Sequence, residues 1–118
     1  MKQVVLVVED DALVRMDVAD IIRQAGYAVL EAADADKAIR LLEENADISA
    51  IFTDIEMPGS MDGIRLAAAV RDRWPPVKII ATSGHLNVYD KALPDGGVFI
   101  PKPYTHDQVL TTLHHALR

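Results

Sequence analysis

The side chains with the most evident chemistry are the run Glu9-Asp10-Asp11, then Asp54, Ser83 and Lys102. Each lies just beyond a short apolar stretch that reads as a strand. If the first and third of those strands are neighbours, Glu9, Asp10 and Asp54 converge on one pocket. Two like charges about 4 Å apart repel by about 4 kcal/mol at an effective dielectric near 20. Three carboxylates therefore need a counter-charge or a proton. Lys102 is one available cation and a divalent metal is the other. An all-oxygen site, open to solvent and anchored by few carboxylates, suits Mg2+ better than Zn2+.

Plainer readings compete at each position. Acidic residues after strands are commonly helix caps, and Asp11 fits that role because it stands where the first helix begins. Asp54 does not, since Phe52-Thr53-Asp54-Ile55-Glu56-Met57-Pro58-Gly59 puts a carboxylate at the end of a buried strand with no helix to cap. Lys102 sits between Pro101 and Pro103, which stiffen the backbone of a residue that must aim at a target.

The elements that position these groups follow from periodicity. Val4–Val8 is a continuous apolar strand of the kind buried on both faces of a parallel sheet. Ala12 to Ala25 has helical spacing at Val14, Val18, Ile21, Ile22 and Ala25, and Gly26 is a stop. A strand follows at Ala28 to Glu31, then a helix capped by Asp34 whose apolar face carries Ala38, Ile39, Leu41 and Leu42. Ile48 to Thr53 is the third strand, and Met57 to Gly63 is a loop by its Pro and Gly content. Ile64 to Trp74 is a helix closed by Pro75-Pro76. Val77 to Thr82 and Gly97 to Ile100 are strands four and five. The last helix opens on the capping box Thr105/Gln108 and buries Val109, Leu110, Leu113 and Leu117. Between Ser83 and Phe99 only Asn87 to Leu93 has room to be helical, about two turns. Regular β/α alternation implies a parallel sheet with helices on both faces, and functional groups then gather at the carboxyl edge of the strands.

Composition removes other classes. The 118 residues fit one domain, and 12 Lys and Arg against 18 Asp and Glu give a net charge of −6. That balance argues against nucleic acid as a partner, because phosphate contacts need a surplus of cations. With no cysteine, disulfides, zinc ribbons and thiol catalysis are excluded. The longest purely apolar runs, Val4–Val8 and Leu66 to Val70, fall far short of the roughly 20 residues of a membrane span, and no signal peptide is evident. A cytoplasmic protein is expected.

The set Val7-Val8-Glu9-Asp10-Asp11, Asp54 to Gly59, Asp62-Gly63, Thr82-Ser83-Gly84 and Lys102-Pro103, in this order and spacing over the whole chain, resembles the response-regulator receiver domain. The expected fold is α/β, a five-stranded parallel sheet in order 2-1-3-4-5, doubly wound in the flavodoxin-like manner, with a short or mobile fourth helix. The resemblance implies that Asp54 is the phosphoacceptor, charged by a histidine kinase or histidine phosphotransfer protein. Asp10 corresponds to a direct Mg2+ ligand, Glu9 to its acidic partner, and the Glu56 backbone carbonyl to a further ligand beside Asp54. Ser83 corresponds to the switch hydroxyl, Lys102 to the lysine that pairs with phosphoryl oxygens, and Phe99 to the aromatic switch. Glu56 and His85 occupy the positions that tune phosphoryl lifetime, and the bond before Pro103 is expected to be cis.

The resemblance has departures. The loop from Met57 to Gly63 is one residue longer than the common form, with Ser60 as the extra residue. The Ser83 to Lys102 connection is short, and Phe99 lacks the hydroxyl a tyrosine would offer. His106, His114 and His115 are read as helix residues and not as a metal site. Trp74 and Met16 are read as core or helix-end packing, and Arg71, Asp72 and Arg73 as a solvated face. The expectation is a stand-alone switch, monomer or weak dimer, that catalyses only its own phosphorylation and dephosphorylation and then meets a downstream protein. The alternatives are a receiver from a longer regulator or hybrid histidine kinase, an unphosphorylated scaffold, and an aspartyl-phosphate phosphatase. The phosphatase lacks its second aspartate, since Glu56 stands there. A flavodoxin-like cofactor binder is disfavoured because Glu9-Asp10-Asp11 would repel its phosphate.

Overall fold

A computed structural model describes residues 2–84 and 93–118. Its strands are β1 (Val4–Val8), β2 (Ala28–Ala32), β3 (Ile48–Asp54), β4 (Lys78–Ser83) and β5 (Val98–Pro101). The helices among the described residues are α1 (Ala12–Gln24), α2 (Ala35–Glu44), α3 (Gly63–Arg73) and α4 (His106–Ala116). All strand pairs are parallel and their order is β2-β1-β3-β4-β5, as the resemblance implies. The expected fourth helix at Asn87 to Leu93 and the lifetime residue His85 lie outside the described residues, Leu93 apart.

β1 shows why a continuous apolar run is required at the centre of such a sheet. Successive side chains point to opposite faces. Val4, Leu6 and Val8 enter one core with Leu42 of α2 and Leu66 and Val70 of α3. Val5 and Val7 enter the other with Val18 and Ile22 of α1 and Val109 and Leu113 of α4. Each of these residues buries a side chain worth roughly 1.5–3 kcal/mol of transfer free energy.

The helix starts are set locally. Asp11, Asp34 and Asp62 accept from backbone N–H groups of the first turns of α1, α2 and α3. Thr105 and Gln108 form the reciprocal capping box on α4. Gly26, at φ +102°, takes the left-handed conformation that closes α1.

Some details differ from the sequence reading. β4 and β5 each start and end one residue later than expected, so Ser83 is the last residue of a strand. α3 starts at Gly63 and Trp74 is its cap. Met16 is not packed in the core: it is 55% exposed, beside Leu13 at 80%. Leu110 and Leu117 are only half-buried. Of the expected solvated face, Asp72 and Arg73 are exposed, whereas Arg71 is half-exposed and folds back to donate to the Pro75 carbonyl at 2.7 Å. Among the described residues no helix is long and apolar enough to cross a membrane.

Candidate functional site

The carboxyl edges of β1, β3, β4 and β5 meet around one acidic depression. Glu9 follows β1 directly, and its N–H donates to the Ala32 carbonyl at the end of β2. Asp54 ends β3 in register with Thr82 of β4. One carboxylate oxygen from each of Glu9, Asp10 and Asp54 lies within 4.8 Å of the others. Glu9 and Asp54 are each only 6% exposed, whereas Asp10 opens to solvent.

Lys102 supplies the counter-charge. Its Nζ donates to Asp54 Oδ2 at 3.1 Å and lies 3.6 Å from Glu9 Oε1. The backbone aims it: Pro101 ends the edge strand β5, where a missing N–H is tolerated. Lys102 N then donates to the Ser83 carbonyl at 2.8 Å, and the peptide bond to Pro103 is cis. Burial pulls the Lys102 pKa down, but the hydrogen bond and charge of Asp54, with Glu9, outweigh it and leave it raised.

The single ammonium does not satisfy the cluster. Asp54 Oδ1 is buried with no hydrogen-bond partner, a state that costs free energy in a folded protein. Burial pushes the Glu9 carboxyl up to about 7, aided by the Asp10 hydrogen bond and the Asp54 charge and opposed by the Asp11 N–H and Lys102. Three carboxylates, an orphaned buried oxygen and one side open to water fit a hard divalent cation that keeps part of its hydration shell. The donor set contains no nitrogen or sulfur.

The raised Glu9 pKa makes metal-free stability depend on pH. A carboxyl that binds its proton more tightly when folded stabilises the fold below its unfolded pKa, and that contribution disappears as pH rises through the folded value. With divalent ions chelated, stability should fall as pH rises from about 4.5 through about 7. Urea titrations across this range should show the fall, and Glu9→Gln should flatten it.

Other expected residues fall at or near this edge. The Ser83 hydroxyl, fully buried, donates to Glu56, whose side chain lies in the loop after β3. Phe99 is half-buried in β5 and pairs with Ala81, two residues before Ser83. The histidines hold no metal cluster among the described residues: the Tyr27 hydroxyl and His114 Nδ1 share a hydrogen bond of 2.8 Å, and His115 bonds Arg118. Trp74 takes the Arg73 guanidinium 4.3 Å above its ring.

Two supporting residues, Arg15 and Tyr104, escaped the sequence reading, and the packing demand on a third, Gly63, did too. Arg15 donates to the Glu9 carbonyl at 2.9 Å and to Glu31 at 3.3 Å, bracing the acidic turn against β2. Its signal was a cation one turn after the Asp11 cap. Tyr104 packs edge-on against Phe52 with ring centroids 5.9 Å apart. Burial raises its pKa, opposed by Lys102, with smaller upward contributions from Glu9 and Asp54. Gly63 lets the start of α3 press against the backbone of Asp54 and Ile55.

A doubly wound parallel sheet with this acidic, lysine-paired edge defines the receiver class. Over residues 5–114 the sequence matches the family described as response regulator receiver domain, and the chain belongs to it. It is 34% identical over 117 residues to the sensor kinase CckA of Brucella abortus, across 96% of this chain and 12% of that protein. It is 29% identical over 117 residues to the transcriptional regulatory protein PdtaR of Mycobacterium tuberculosis, across 96% and 56%. The chain thus spans between about a tenth and just over half the length of these curated relatives. The solved receiver domain of the hybrid histidine kinase CckA is 33% identical with a TM-score of 0.84, covering 98% of this chain and 99% of that one. A response regulator receiver protein from Sinorhizobium medicae is 26% identical with a TM-score of 0.91, covering 98% and 94%.

Proposed function

We propose that this chain is a phosphoacceptor switch that takes a phosphoryl group onto Asp54 from a phosphohistidine of a histidine kinase or phosphotransfer protein. The observation that carries this reading is the state of Asp54, buried at a strand end, with Oδ2 held by Lys102 and Oδ1 unpartnered. A carboxylate oxygen of Asp54 attacks phosphorus as the P–N bond to the donor imidazole breaks. The electron pair leaves with the imidazole, which keeps or takes up a proton.

The residues divide the work. Phosphoryl transfer spreads charge over the equatorial oxygens, so positioned cations and donors carry most of the catalysis. Lys102 is already at the carboxylate and can follow the incoming oxygens. Ser83, at the next strand end, offers a hydroxyl. Glu9, Asp10, Asp54 and the Glu56 carbonyl would hold Mg2+, which supplies charge neutralisation for the transferring group. Ser83 and the packing of Phe99 form the element that phosphorylation biases, and the changed surface meets a downstream protein. The only reactions assigned to the chain are gain and loss of its own phosphoryl group.

Intact-mass measurement after incubation with acetyl phosphate and Mg2+ tests this reading. The expected result is one added phosphoryl group, absent in Asp54→Ala and when Mg2+ is chelated. No addition to the unaltered chain would favour a scaffold that never carries phosphate.

A further inference from the structure

Glu56 has a contact that acceptance of a phosphoryl group does not explain. β4 runs beside the loop that follows β3, because Ile55 N donates to the Thr82 carbonyl at 2.9 Å. This register sets the Glu56 side chain against Ser83. Ser83 Oγ is 2.7 Å from both Glu56 Oε1 and Oε2. An ionised carboxylate has no proton to give, so the hydroxyl is the donor to both oxygens. Bonds of this kind, with one partner charged, are about twice as strong as neutral ones. The same hydroxyl proton is the one that a phosphoryl oxygen on Asp54 would need.

We infer that Glu56 is an internal stand-in for the phosphoryl group, an anionic latch that holds the Ser83 hydroxyl in the unmodified chain and competes with phosphorylated Asp54 for it. The inference rests on the phosphoacceptor reading. Competition follows from two features of the pocket. A hydroxyl carries a single proton, so a full hydrogen bond to one anion weakens that to another. A phosphoryl group also adds about −1.5 to −2 charges to a cluster that already holds Glu9, Asp10 and Asp54, which works against a further carboxylate nearby. Glu56 has an exit that Ser83 lacks: its side chain is half-exposed, whereas Ser83 is fully buried. A ligand shifts a two-state equilibrium only by its differential interaction with the states. The latch supplies such a difference in favour of the unmodified packing, so this switch responds to phosphorylation less readily than it would with a neutral residue at position 56.

The test is a double-mutant cycle read by the affinity for beryllofluoride, a phosphoryl mimic, in the presence of Mg2+. The full chain is compared with Glu56→Gln, Ser83→Ala and the double variant by calorimetric titration. Glutamine keeps the shape of Glu56 and removes its charge. With Ser83 present, Glu56→Gln should tighten beryllofluoride by about tenfold. In the Ser83→Ala background the gain should shrink to about twofold at most. Equal tightening in both backgrounds would mean that Glu56 acts by repulsion alone and would overturn the latch. A different result, no binding of beryllofluoride by the unaltered chain, would overturn the phosphoacceptor reading and the latch with it.

Discussion

Replacing Gly63 with alanine should cost about 3 kcal/mol of folding stability and should slow phosphoryl uptake at the same time. A Cβ at position 63 would overlap the carbonyl oxygen of Asp54 and lie 2.7 Å from the Cα of Ile55. Both obstacles are backbone, so no side chain can rotate away. The N–H of Gly63 also donates to the Ile55 carbonyl at 2.9 Å, which ties the start of α3 to the end of β3. Relief requires that α3 retreat or that the Asp54 segment move. The first opens the core around Leu66 and Val70, and the second displaces the acceptor carboxylate. Alanine's better helix propensity returns less than about 1 kcal/mol and does not reverse the sign. Urea denaturation of Gly63→Ala beside Gly84→Ala, where a Cβ meets nothing within 4 Å, checks the argument. A loss below about 1 kcal/mol at position 63 would contradict it.

Lys102→Met should move two properties in opposite directions. Mg2+ should bind about tenfold more tightly, while phosphoryl incorporation from acetyl phosphate should slow by about 100-fold. Lys102 Nζ sits 3.1 Å from Asp54 Oδ2 and 3.6 Å from Glu9 Oε1, so it occupies part of the attraction those oxygens offer a divalent cation. Unit charges at about 4 Å interact by about 4 kcal/mol at a dielectric of 20. The lysine side chain is 31% exposed, and solvent screening brings the expected change in Mg2+ affinity down to about 1.4 kcal/mol, or tenfold. The rate responds otherwise, because removing one preorganised donor from developing negative charge typically costs about 100-fold or more. Methionine keeps an unbranched apolar stem while removing the charge. Calorimetry for the metal and intact mass against time for the phosphoryl group separate the effects. If both properties weakened together, Lys102 would be holding the site in shape and not acting on the transferring group.

Much of this arrangement was readable from residue type. Val4–Val8 has the same bounds in the structure as in the sequence reading, because five consecutive apolar residues have no other place than a strand covered on both faces. Asp34 and Thr105 are caps because their side-chain oxygens can reach N–H groups three residues ahead, a local geometry that sequence encodes directly. The edge of β4 was harder to place. Ser83 is polar and looks like the first loop residue, but the β3–β4 ladder extends to Asp54 and Thr82, and the β4–β5 ladder pairs Ser83 with Pro101 and so carries it into the strand. The Glu56–Ser83 contact depends on that register and joins residues far apart in sequence, so no spacing rule could reveal it. Met16 misled for the opposite reason: its size suggested burial, yet its place on α1 turns it outward. Gly63 announced a turn or helix start, whereas its actual demand is for empty volume where another stretch of backbone passes.

The loop after β3, read from the sequence as one residue longer than the common form, is tied down at that residue. An added residue ordinarily gives a loop more slack, although the entropy involved grows only slowly with length. Ser60, the residue read as the extra one, donates through its Oγ to Asp36 Oδ1 at 2.6 Å, in the first turn of α2. The loop that carries Glu56 is thereby pinned to the start of a helix that covers one face of the sheet.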